Sequence, residues 1–145
     1  MIISTKGRYG VRAMFVLALK YEDGPQSIKS ISEAQHISET YLEQLFATLR
    51  KSGLISSTRG AGGGYILSRS PKEISVGSIL EALEGPLSPA DCVTGSCKSA
   101  QNCATHSIWM RIYDGISNVV NSITLQDMLD DYNEKKSTLD LSRCK

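Results

Sequence analysis

Three thiols and one imidazole crowd into residues 92–106, with the spacing Cys92-x4-Cys97-x5-Cys103-x2-His106. Three soft thiolates and an imidazole from one short segment can supply the four ligands of a metal centre. A structural zinc site prefers close C-x2-C knuckles, and none is present. An iron–sulfur cluster is larger and tolerates wider spacing in a loop. A histidine among its ligands raises the potential and adds a protonatable group, which suits sensing. The spacing leaves a cluster, zinc and a bare thiol switch all open. Cys103 and His106 also imitate a thiolate–imidazole pair, but nothing supplies a third orienting group or an oxyanion hole, so no enzyme is expected. The remaining cysteine, Cys144, has no assigned role.

These ligands need elements to hold them. Residues 85–106 carry Pro86, Pro89, Gly95 and the three thiols and read as a loop. An unstructured stretch of that length is uncommon unless functional. A helix from about Ser107 to Ser122 follows. Its Trp109, Ile112, Ile116, Val119 and Ile123 step by three and four residues, an a/d seam that needs a partner. Because the first 84 residues read as a closed small fold, a twofold homodimer through this helix is expected. Thr124 caps a final helix from Leu125 to about Asn133, with Asp127 in capping-box position. Residues 135–145 are expected to form a flexible tail.

Upstream, residues 1–84 read as a winged helix-turn-helix. Ser4 or Thr5 caps a first helix that Gly24-Pro25 ends, and a second helix spans about Ile28 to Gln35. A tight turn at Gln35-His36-Ile37 leads to a third helix that Ser38 caps and Gly53 closes. His36 reads as a turn residue in positive φ rather than a ligand. Leu42, Leu45, Phe46 and Leu49 form the third helix's inward face. Thr40, Glu43, Gln44, Ala47 and Lys51 line the other, with Arg50 at its edge. Polar groups early and basic groups late suit a helix whose first turns meet base edges in a major groove. Two β-prone runs around Arg59-Gly60-Ala61-Gly62-Gly63-Gly64 make a hairpin wing. Arg59 sits at its tip, and Gly60 and Gly62 let the backbone approach a nucleic-acid strand. The glycines do not form a nucleotide-binding loop, because no Lys-Ser/Thr follows and the GxGxxG spacing is broken. Ser75 caps a fourth helix, Val76 to Glu84. The fold class is therefore mainly α with a small β-hairpin wing and a long dimerisation helix.

Charge agrees with a polyanion partner for the first half alone. The chain has 145 residues and a net charge of +1. Residues 1–72 nevertheless carry a net +5 and residues 73–145 a net −4. With 41% apolar residues the chain is too apolar for disorder. No run approaches the ~18 apolar residues of a membrane span. The N-terminus lacks a signal peptide's order, so a soluble cytoplasmic protein is expected.

Ser4-Thr5-Lys6-Gly7-Arg8-Tyr9, the stretch Tyr41-Leu42-Glu43-Gln44-Leu45-Phe46, the glycine-rich wing and the Cys/Cys/Cys/His loop together resemble the IscR-like iron–sulfur cluster regulators of the Rrf-type winged-helix transcription factors. The resemblance runs from residue 1 to about residue 132. It implies a dimeric repressor or activator of cluster-assembly genes, with a 2Fe–2S cluster on Cys92, Cys97, Cys103 and His106. It further implies double-stranded DNA with an imperfect palindrome as partner. Glu43, with Thr40, Tyr41 and Gln44, would read bases or phosphates near the Ser38 cap. Lys6, Arg8, Arg50, Lys51 and Arg59 would supply charge to the backbone. Two features depart from the family pattern. Four residues, not five, separate the first two cysteines. The acidic N-terminal ligand of related nitric-oxide sensors is replaced by a neighbourhood holding Lys6 and Arg8. A regulator of cysteine metabolism in the same superfamily usually lacks the cysteine trio.

Overall fold

The computed structural model describes residues 2–136. Serine hydroxyls set four of its helix starts. Ser4 Oγ accepts from Gly7 N at the head of α1 (Thr5–Leu19), and Ser27 Oγ from Ser30 N at α2 (Ile28–Gln35). Ser38 Oγ accepts from Tyr41 N at α3 (Glu39–Lys51), and Ser75 Oγ from Ser78 N at α4 (Val76–Glu84). Each satisfies a backbone donor that has no partner inside its helix. Between α3 and α4 lie β1 (Ile55–Thr58) and β2 (Gly64–Leu67), antiparallel, with Ile55 opposite Leu67 and Thr58 opposite Gly64.

The core forms where α1, α2, α3 and α4 meet. Met14, Leu17, Ile31, Leu42, Leu45, Phe46, Leu49 and Ile79 are among its fully buried side chains. The wing is held to this core from two sides. The Tyr65 ring meets Phe46 edge-on, with centroids 4.8 Å apart. Gln26 and Tyr65 exchange backbone hydrogen bonds of 2.9 and 2.8 Å, an isolated bridge that ties the segment before α2 to the hairpin. Gly64 permits that approach: a Cβ there would lie 2.3 Å from the Gln26 carbonyl oxygen.

Three differences from the sequence reading appear beyond α4. First, residues 85–106 are not without structure. They contain the short helix α5 (Asp91–Thr94) and a 3-10 turn at Ala100–Asn102. Second, the core does not close within 84 residues. After α6 (His106–Ser122), the chain turns at Ile123 and sends α7 (Leu125–Lys136) back onto α1. Leu125 is fully buried, and Phe15 and Tyr132 meet edge-on at 5.4 Å. The turn is stitched to the start of α4: Val76 N donates to Ile123 O at 2.7 Å and Leu125 N to Ile74 O at 2.9 Å. Third, the last helix runs to Lys136, past the expected stop at Asn133. Lys135 pairs with Asp131 at 2.7 Å, and lysines in a last turn favour the negative helix end. The rest of the expected tail, with Cys144, lies outside the described residues.

The long helix α6 rests on α4 where Gly77 leaves room. A Cβ at Gly77 would stand 2.1 Å from Asn121 Oδ1. No residue of α6 is fully buried.

Candidate DNA-binding face and cysteine-loop site

The turn between α2 and α3 follows the expected chemistry. His36 is left-handed, with φ 54° and ψ 46°. The Ser32 hydroxyl donates to Ile37 O at 2.6 Å, which tightens the turn. Leu42, Leu45, Phe46 and Leu49 are buried, so α3 turns its other face outward. Thr40, Glu43, Gln44, Arg50 and Lys51 are all exposed there. Tyr41 differs: it is half-buried, its ring edge-on to Tyr9 at 5.9 Å. The Ser38 hydroxyl is occupied as the cap of α3. Lys6 and Arg8 are exposed at the start of α1, with Arg8 Nη2 donating to Thr5 Oγ1 at 3.3 Å. Arg50 reaches the wing, where its Nη1 donates to Ser57 Oγ at 3.2 Å. Arg59, Gly60 and Gly62 are exposed at the hairpin tip. The two glycines hold φ values of 94° and 77°, so the turn itself requires them.

Two positioning residues escape a reading of the sequence. The Glu84 carboxylate ends α4 and sits at the head of α1. Its Oε1 accepts from Ser4 N at 2.6 Å and also from the Ser4 hydroxyl. Arg12 donates from Nε to Gln35 Oε1 at 3.0 Å and from Nη2 to Gln35 O at 2.7 Å. These partners lie 80 and 23 residues apart, beyond the reach of any local pattern.

The cysteine loop brings its donors to the head of α6 in part. Cys92 rides on α5, which packs against α6, and Cys97 follows α5. Cys103 closes the 3-10 turn, and its carbonyl accepts from His106 N at 3.4 Å. The three thiols are free and partly exposed. The Cys103 thiol is held below its ordinary pKa. The largest cause is the Thr105 hydroxyl at 3.4 Å, followed by the backbone amides of Thr105 and His106, against a smaller desolvation effect. His106 Nδ1 is buried and has no hydrogen-bond partner. Among the described residues, no three His, Cys, Asp or Glu side chains converge closely enough to hold a metal ion. The donor chemistry still fits an iron–sulfur cluster. Free thiols, one of them biased toward thiolate, lie in the same segment as an orphaned imidazole nitrogen. Gathering all four requires the 92–103 segment to close on the head of α6.

A helix-turn-helix with a following hairpin wing defines a transcriptional regulator that grips nucleic acid, not an enzyme. The Rrf2 family, described as iron-dependent transcriptional regulators, matches residues 3–131, and the chain belongs to that family. The chain is 41% identical to the HTH-type transcriptional regulator IscR of Pectobacterium carotovorum, over 98% of this chain and 85% of the relative. The solved structure of IscR from T. potens superposes with a TM-score of 0.78 at 46% identity, covering 98% of this chain and 94% of that one. The solved structure of CymR, the global cysteine regulator of B. subtilis, is similarly near. Its TM-score is 0.74 at 45% identity, with 88% of this chain and 95% of that chain covered. No helix among the described residues is long and apolar enough to cross a membrane.

Proposed function

We propose that this chain is a cytoplasmic, homodimeric DNA-binding regulator that senses iron–sulfur cluster or redox status and controls cluster-assembly and related genes. Cys92, Cys97, Cys103 and His106 would hold a 2Fe–2S cluster. The observation that carries this reading is His106 Nδ1: a buried imidazole nitrogen without a partner, in the same segment as three free thiols. Buried polar atoms are normally paired, so an orphan at the head of α6, next to the cysteine loop, supports His106 as a ligand position. When bound, the cluster supplies a reversible one-electron couple. The protein's own groups prepare for it. Thr105 and the first amides of α6 favour the Cys103 thiolate, and α5 delivers Cys92 toward α6.

In this reading residues 1–84 form the DNA-binding part, 85–106 the cluster loop and 107–134 the dimerisation region, whose α7 is shared with the core. The α6 seam would join two copies through Trp109, Ile112, Ile116, Val119 and Ile123. A twofold pair of recognition helices fits successive major grooves, so the operator would be an imperfect palindrome. The exposed Thr40, Glu43 and Gln44 would read base edges beside Tyr41 and Ser38. Lys6, Arg8, Lys51 and the wing residues Arg59, Gly60 and Gly62 would follow the backbone, with Arg50 bridging to the wing.

The similarity to CymR favours a second reading, a regulator of cysteine metabolism that uses structural zinc or a thiol switch. Anaerobic purification separates the readings. Visible charge-transfer bands with bound iron are expected, and they disappear in Cys92→Ala. A colourless protein carrying zinc overturns the cluster. A colourless, metal-free protein whose DNA affinity follows thiol oxidation supports the switch.

A further inference from the structure

Arg12 counts among the ten bases of the positive half, but its surroundings distinguish it from the others there. It is half-buried. Its Nε and Nη2 both grip Gln35, the last residue of α2, and its Cζ lies 5.2 Å from the centroid of the Tyr9 ring. Tyr9 in turn packs edge-on against Tyr41 in the first turn of α3. The Gln35 carbonyl is one of the acceptors a helix end leaves without an internal donor, and a cation there is favoured by the helix dipole. The next residue is the left-handed His36. Arg12 therefore fixes the point where α2 stops. Tyr9 fixes the point where α3 starts, and the guanidinium over the Tyr9 ring joins the two anchors.

We propose that Arg12 is a positioning residue for DNA recognition: by clamping Gln35 while resting on Tyr9, it sets the attitude of α3 and hence the sequence choice of the protein. This deepens, and rests on, the reading of α3 as the recognition helix. Hydrogen bonds to base edges weaken steeply with misalignment, whereas attraction to phosphate barely depends on angle. Loosening the clamp therefore costs specific binding and spares non-specific binding. Lysine keeps the charge but has no planar fork to hold the side chain and carbonyl of Gln35 together.

The test starts from a randomised duplex library, from which full-length wild-type protein selects its preferred sequence. Wild type, Arg12→Lys, Arg12→Gln and Gln35→Ala are then titrated against the selected duplex and a scrambled duplex over a range of KCl. The expected result for Arg12→Lys is about tenfold weaker binding to the selected duplex. Its affinity for the scrambled duplex and its salt slope stay at wild-type values. Gln35→Ala, which keeps the carbonyl, falls between the two. Wild-type preference in Arg12→Lys overturns the proposal. So does equal loss on both duplexes in Arg12→Gln with a salt slope lower by about 0.9, the mark of a direct phosphate contact. If Arg12→Gln loses cooperative melting, Arg12→Lys and Gln35→Ala decide the matter. Wild type selecting no sequence at all removes the recognition-helix reading itself, a different failure from either of these.

Discussion

The two ends of this molecule are built to different standards. From α1 to α4 every α-helix start carries a serine cap, and the residues of that stretch supply nearly all the buried apolar side chains. From α5 to α6 neither helix has a side-chain cap, neither buries a residue completely, and one imidazole nitrogen is left orphaned. The first region, finished on α1 by α7, is packed throughout and can hold α3 at a fixed angle. The second leaves apolar and polar demands open together. Val119 is 58% exposed and Ile108 49%, on a helix whose opposite side already leans on α4. In the function proposed above, such a region would be completed from outside, by a second chain over the apolar stripe and by a metal group on the donors. In that reading the division would serve a sensor: the open part could change state while the packed part keeps its shape.

Substitutions in the two regions should therefore fail differently. The largest effect is expected for Phe46→Ala, which empties a fully buried site against Tyr65. It should cost about 3–5 kcal/mol, read as a lower midpoint in urea unfolding. Val119→Glu, on the exposed stripe, should leave the melting of the single chain within about 0.5 kcal/mol. By sedimentation the same variant should be monomeric, and its affinity for a palindromic duplex should fall on the order of a hundredfold as the paired contact is lost. A Val119→Glu protein that remains a dimer with full affinity would remove α6 from the interface. Ser38→Ala takes one cap from the complete region and should cost about 1 kcal/mol, without changing oligomeric state. Smallest is Thr105→Val, at the head of α6. It removes the leading cause of the lowered Cys103 pKa, so the pKa rises and less thiolate is present at neutral pH. Alkylation of Cys103 in metal-free protein should slow while stability is unchanged; an unaltered rate at every pH would assign the reactivity to the backbone amides instead.

Legibility in the sequence followed the range of the interaction. Ser38 and Ser75 announce α3 and α4 because a cap acts within three residues. His36 was readable as a left-handed turn residue, and the heptad seam of α6 was readable as a stripe lacking cover. The candidate donors could be named from spacing but their arrangement could not, because α5 and the 3-10 turn depend on packing rather than local pattern. Arg12, Glu84 and the pairing of Gln26 with Tyr65 were invisible for a related reason. Each joins groups that are distant along the chain, and a lone arginine or glutamate does not name its partner.

What the amino-acid order settled by itself was therefore the longer helices, the hairpin and their faces, since helix caps, glycine turns and apolar periodicity act between near neighbours. Only the folded chain decided that α7 returns to finish the core on α1, that Gln26 bridges to the wing at Tyr65, and that the His106 Nδ1 atom is buried without a partner. Burial and long-range hydrogen bonds depend on which surfaces meet in space, and that meeting is a property of the whole chain rather than of any segment.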